Sequence, residues 1–213
     1  MLPVDPGLGR RLLDRMRAAE IEIHSWWPPD VHTRNRRVYG AILVQQTAWT
    51  SAHGALQNLA DAGVLESPDS LLALPIAELT EIVRSAGFHT RKPEYLRAAA
   101  QWLGAHGDQA AGLNDPDLFR SLTAVRGIGP ESAHLIMLSC YGRSVFIADS
   151  YSRKLFTGVG LTNLPAGYLP LHAYASALCE GFTQQDFIDF HALKIQFGQE
   201  VAKRLRTYGE LGD

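Results

Sequence analysis

The sequence predicts an all-α fold, and three observations carry that prediction. Apolar residues recur at helical spacing, as in Ala52, Leu56 and Leu59 and again in Leu96, Ala99, Ala100 and Leu103. Segments open on Ser, Asp or Pro and close on Gly, which is the chemistry of helix caps and stops. The composition, 46% apolar and 20% charged, is that of a soluble chain able to bury a core.

Taken in order, the run beyond Arg36 begins as a buried helix, continues as an amphipathic one and ends at Gly63. Ser67-Pro68-Asp69 opens a short segment closed by Pro75, and Glu78 to Ser85 forms another that stops at Gly87. Pro93 starts a helix from Glu94 to His106, with Gly107 as its stop. Asp115-Pro116-Asp117 caps a helix running through Leu122 and Val125, and a second resumes from Glu131 to Tyr141. The joint between them, Arg126-Gly127-Ile128-Gly129-Pro130, is the sharpest turn in the sequence. Val145-Phe146-Ile147 is too short to tell a strand from a buried connector, and Asp149 to Phe156 reads as a helix opening on a polar cap. Gly158, Gly160, Pro165, Gly167 and Pro170 mark the loosest stretch, followed by helices from His172 to Cys179 and from Phe187 to Arg206.

With 213 residues the chain is one large domain or two small ones around a shared cleft. No apolar run approaches the roughly 20 residues a membrane helix needs, and the N-terminus, with four Arg by residue 17, lacks a signal-peptide core. A cytoplasmic monomer without a membrane partner is therefore expected. Two cysteines, Cys140 and Cys179, are too few for a disulfide framework, a four-Cys zinc site or a four-Cys iron-sulfur cluster. The balance of 22 acidic against 20 basic side chains, net −2, does not announce a nucleic-acid binder.

The chemistry gathers around the glycine turn. Two glycines between helices let turn N–H groups and a helix N-terminus face one phosphate, an anion seat that needs no net charge. The same Gly-x-Gly also occurs as a plain connector. Asp149 then follows 20 residues beyond Gly129, at the start of Asp149-Ser150-Tyr151-Ser152-Arg153.

In this hairpin and aspartate, in Trp26-Trp27-Pro28 and in Gly40 to Trp49, the chain resembles the endonuclease III type of helix-hairpin-helix DNA glycosylase over roughly residues 26 to 156. It looks most like the bacterial branch associated with 3-methyladenine removal, which lacks the iron-sulfur loop. The resemblance implies a two-lobed all-α fold with an interlobe cleft, one lobe spanning residues 32–145 and the other 1–31 with 146–213. It implies Asp149 as the catalytic carboxylate. Glu131 stands where endonuclease III carries a lysine, and a glutamate cannot form the Schiff base of the lyase route. A monofunctional glycosylase follows, acting on double-stranded DNA that contains an alkylated purine such as 3-methyladenine, with no cofactor beyond a monovalent cation at the hairpin carbonyls. Trp26, Trp27, Pro28 and Trp49 supply stacking surfaces for the extruded base, and Glu131 could place a charge near the pocket mouth. Gln46 matches the residue that fills the gap left by the flipped nucleotide. Arg126, Gly127, Ile128, Gly129 and Arg153 would hold DNA. Rival functions are a glycosylase/lyase for oxidised or mismatched bases, a lesion-binding module with little catalysis, and a helical protein-interaction domain.

Each residue also has a plainer reading. Asp149 suits an N-cap in any protein, and Glu131 suits the dipole of a helix start. Trp26 and Trp27 could be core, with one packing and the other facing the cleft, and Gln46 a solvated turn residue. His134 and His191 read as core or boundary histidines. Lys194 interrupts an apolar face and has no account from sequence.

Overall fold

A computed structural model describes residues 5–19, 27–87 and 91–212, and Trp26 lies outside them. The described residues hold helices and connections without a strand. In chain order the helices are α1 (Leu8–Ala18), α2 (Arg34–Leu43), α3 (Trp49–Asp61), α4 (Pro68–Ala73), α5 (Ile76–Ile82), α6 (Lys92–His106), α7 (Asp115–Thr123), α8 (Pro130–Cys140), α9 (Ser150–Gly158), α10 (Tyr168–Leu178) and α11 (Gln184–Ala202). They fall into two compact units. One is Trp27–Tyr141; the other joins Met1–Trp26 to Gly142–Asp213.

Within the unit Trp27–Tyr141, α2 is the central element, packed against α3, α6 and α8. Every residue from Val38 to Leu43 is buried, so beyond its basic first turn this helix reads from sequence as an apolar run. The Trp27 ring lies against Gly40, where a Cβ would meet it at 2.8 Å, so the glycine is the groove that admits the indole. The long run divides because the chain turns between α2 and α3, with Gln46 in the left-handed region at φ +53°. Lys92, 2% exposed, donates from Nζ to the carbonyls of Leu43 and Ala86 at 2.7 Å each, placing a cation at the C-terminal end of α2. Burial pushes this amine down to about 8.

The cap of α7 is Asn114 rather than the acidic pair that follows it. Its backbone is extended and its side chain accepts the Asp117 N–H at 2.9 Å, which leaves Asp115 and Asp117 in the first turn, beside the positive end of the dipole.

In the second unit, α11 packs against α1 and α9. The Arg-rich α1 was not legible as a helix, although Leu12, Leu13 and Met16 form a fully buried stripe. Thr183 and Asp186 make a capping box at the start of α11. Asp186 also receives both Arg10 guanidinium nitrogens at 3.0 Å, and this pairing holds its carboxyl well below the usual range. The segment Val145-Phe146-Ile147 is a connector, with Phe146 and Ile147 buried. Its carbonyls are satisfied by side chains instead of a neighbouring strand: His172 Nδ1 lies 2.8 Å from Phe146 O, and Ser152 Oγ and Lys194 Nζ donate to Ile147 O at 2.9 and 2.5 Å. No described helix is long and apolar enough to cross a membrane.

Candidate active site

On the first unit the hairpin joins α7 to α8. Gly127 has φ +92°, and a Cβ there would run into the root of the Tyr95 side chain, so both backbone angle and space demand glycine. Gly129 differs. Its φ is −83°, it is exposed, and a Cβ would meet nothing within 4 Å, so the fold itself does not require a glycine there. Gly129 is the N-cap of α8 and makes no side-chain cap bond, and Pro130, which has no N–H, occupies the first turn.

Of the residues expected around this turn, Ile128 is buried with 3% exposure, so its side chain anchors the hairpin and cannot face DNA. Arg126 is exposed and ion-paired with Glu94 at 2.6 Å. Glu131 is exposed in the first turn of α8. Gln46 is exposed at the turn after α2, with the strained backbone noted above. Its neighbour Gln45, absent from the sequence expectations, is the residue that braces the hairpin: Nε2 donates to Gly127 O at 2.8 Å and to Ser132 Oγ at 3.0 Å.

The aromatic residues divide their roles. Trp27 is 6% exposed and offers no open face, a correction to its expected place in a stacking surface. It meets Trp49 edge-on at 5.3 Å between ring centroids. Trp49 is half-buried and stacks on His53 at 5.9 Å, and His53 Nε2 lies 3.0 Å from Asp30 Oδ2, to which Gln57 also donates. Trp49 and His53 stand four apart on α3, a spacing that puts them on one face. Pro28 is half-buried.

Asp149, on the second unit, is the N-cap of α9, and its side chain is 11% exposed. One oxygen carries the structural bonds: Oδ1 accepts Ser152 N–H at 2.9 Å and Ser152 Oγ–H at 3.0 Å, and Lys194 Nζ is 3.1 Å away. The other oxygen, Oδ2, faces His191 Nδ1 at 3.7 Å. Burial alone would raise the carboxyl, yet it lies below its ordinary value because the Lys194 ammonium, then the neighbouring His191 and the Ser152 amide, together outweigh desolvation. Burial, reinforced by Lys194, pushes His191 down to about 3 and leaves it neutral. The site thus presents a fixed anion at any moderate pH. Arg153, expected at a phosphate, donates to Pro165 O at 2.8 Å and ties down the loop after α9. Among the described residues no group of three or more His, Cys, Asp or Glu side chains is placed to hold a metal ion.

Residues 39–206 match the profile of the HhH-GPD superfamily of base excision DNA repair proteins. A Methanocaldococcus jannaschii protein provisionally assigned as a DNA repair glycosylase is 32% identical over 149 residues, covering 68% of this chain and 66% of that relative. Endonuclease III of Sulfolobus acidocaldarius is 25% identical over 173 residues, covering 80% and 76% of the two chains. Among solved structures, the H. pylori 3-methyladenine DNA glycosylase bound to 1,N6-ethenoadenine superposes with a TM-score of 0.76 at 21% identity, covering 91% of this chain and 98% of the other. With its hairpin and its capped, ionised aspartate in place, the chain belongs to the HhH-GPD superfamily of base excision DNA repair proteins.

Proposed function

We propose that the protein is a monofunctional DNA glycosylase that hydrolyses the N-glycosidic bond of an alkylated purine, such as 3-methyladenine, in double-stranded DNA. The observation that carries this reading is Asp149: an anion held at Oδ1 by the Ser152 amide and the Lys194 ammonium, with the Ser152 hydroxyl in reach, while Oδ2, on the His191 side, is the oxygen offered to a sugar. As the bond from C1′ to the base breaks, its electron pair leaves with the base and the sugar becomes oxocarbenium-like. A fixed carboxylate stabilises that charge without reorganising. Water then bonds to C1′ and releases its proton to bulk water. A carboxyl held below its ordinary value is a weak base, so Asp149 acts chiefly through its charge. A base that already carries positive charge departs neutral and needs no general acid.

The hairpin supports DNA binding through backbone amides, which reconciles a phosphate-gripping protein with a net charge of −2. The exposed Gly129, with open space where a side chain would stand, suits close approach of a phosphate. Trp49 suits the extruded base and Gln46 the gap behind it. The carbonyls of Val125 and Gly127 each accept one hydrogen bond, from Ile128 N–H at 3.0 Å and Gln45 at 2.8 Å. A lone pair remains on each for a monovalent cation, which would steady the turn without entering the reaction.

Against the lyase alternative, Glu131 offers no amine, and the Lys194 amine is engaged by Ile147 O, Ser152 Oγ and Asp149. Incubation with duplexes carrying single lesions, followed by alkali, tests the reading. Alkali-labile sites at alkylated purines are expected, with the strand intact before alkali. Strand cleavage without alkali together with a borohydride-trapped adduct would establish the lyase instead. Tight lesion binding without base release would establish the binding module.

A further inference from the structure

Lys194 is the least expected residue of the chain. Its side chain is 1% exposed, in the middle of α11, above the Phe146 ring at 5.0 Å. Burying an ammonium is costly unless partners replace its water. Here three acceptors surround Nζ: Ile147 O at 2.5 Å, Ser152 Oγ at 2.7 Å and Asp149 Oδ1 at 3.1 Å. All three belong to the connector and first turn that carry the aspartate, so one amine joins α11 to the backbone, hydroxyl and carboxylate of that turn.

We propose that Lys194 is a positioning residue for base excision, pinning Asp149 by Oδ1 so that Oδ2 is the oxygen presented to the sugar. The inference rests on the reading of Asp149 as the catalytic carboxylate. Two features set it apart from simple packing. Ser152 Oγ accepts from Lys194 and lies within donating distance of both Ile147 O and Asp149 Oδ1, so its single proton serves one of the two acceptors at a time while the ammonium donates to the hydroxyl and to Ile147 O. His191 faces the opposite oxygen, and the nearby ammonium helps keep that ring uncharged. The titratable groups that bear on Asp149 from the elements packed against α9 are Lys194 and His191 of α11 and Tyr208 of the C-terminal 3-10 turn. Lys194 is the cation among them. Without it, burial would dominate and the carboxylate would take up a proton more readily.

The experiment compares single-turnover base release and its pH profile in the intact protein, Lys194→Met, Ser152→Ala and Asp149→Asn. Methionine keeps the length and apolar stem but removes the charge and the donor. Lys194→Met should lower the rate at pH 7 by about tenfold to a hundredfold, the cost of a misplaced reacting group, with lesion-DNA affinity unchanged. Its acid limb should move to higher pH, a change that mere loss of packing does not produce. Ser152→Ala, which removes the oxygen accepting from Lys194, should shift the limb in the same direction by less, and it decides the matter if Lys194→Met does not fold. An inactive Asp149→Asn beside a Lys194→Met or Ser152→Ala variant with unaltered rate and acid limb would overturn the inference alone. An active Asp149→Asn would overturn the reading beneath it.

Discussion

Replacing Gly127 by alanine adds one methyl group at the point where the hairpin turns. Two costs follow from the structure. The residue sits at φ +92°, outside the pocket of positive φ that other residues tolerate, and holding alanine there costs about 1–3 kcal/mol. The new methyl would also run into Cβ and Cγ of Tyr95, the root of that side chain, which cannot swing aside as a flexible tip could. Forced overpacking of this kind costs about 1–3 kcal/mol more. Alanine restricts the unfolded chain and returns about 0.4–1 kcal/mol. The net loss is roughly 1–6 kcal/mol, a large share of the 5–15 kcal/mol typical of a domain. Urea denaturation followed by circular dichroism should show a lower midpoint at constant slope. Gly129→Ala is the internal control, because φ there is −83° and nothing stands within 4 Å. Its stability should stay within about 1 kcal/mol of the parent while its affinity for DNA falls. A Gly127→Ala midpoint indistinguishable from that of the parent would refute the steric argument. Unchanged DNA affinity in Gly129→Ala would refute the assignment of that glycine to a phosphate.

Other expectations rest on single contacts. Gln45→Ala removes both bonds to the hairpin and should cost about 1–3 kcal/mol in urea unfolding, with weaker DNA binding at fixed salt. Asp186→Asn loses the paired Arg10 guanidinium and should be destabilised by about 1–3 kcal/mol at pH 7. Because the folded carboxyl lies below the free value of 3.8, that difference is fully present above 3.8 and fades as pH falls through the folded value. His191 is buried and neutral down to about 3, against 6.5 when free. The unfolded chain therefore binds a proton first, and stability should fall as pH drops below 6.5, at up to about 1.4 kcal/mol per pH unit from this group. A His191 replacement that folds should flatten that slope, and an unchanged slope would assign it to other groups.

What the sequence revealed depended on how local the signal was. The stripe Leu96, Ala99, Ala100 and Leu103 marks a helix through its own periodicity, and the structure places it in α6. Asp149 is marked by local capping chemistry, which the structure shows as the N-cap of α9, while its catalytic reading comes from the resemblance, which carries an aspartate at this distance from the hairpin. By contrast, the Leu12, Leu13 and Met16 stripe of α1 also stands at helical spacing, between arginines and Asp14, and the reading of the N-terminus for charge and for a signal core passed it over. Whether Val145 to Ile147 is a strand or a connector turns on what its carbonyls bond, and those partners, His172 and Lys194, come from distant helices. Lys194 was opaque for the same reason: its role is defined by a carboxylate 45 positions earlier. Gln45 and Gln46 are the same residue type side by side, and only the turn geometry sends one to the hairpin and leaves the other exposed.

The proposed role of Asp149 in base excision is tested by single-turnover release of alkylated purines from methylated duplex DNA by the intact protein and by Asp149→Asn. The account predicts release that leaves the strand intact, lowered by about a hundredfold to a thousandfold or more in the variant, which keeps the fold because asparagine still caps a helix. Equal release by both proteins, or no release by the intact protein from any lesion duplex, would contradict it.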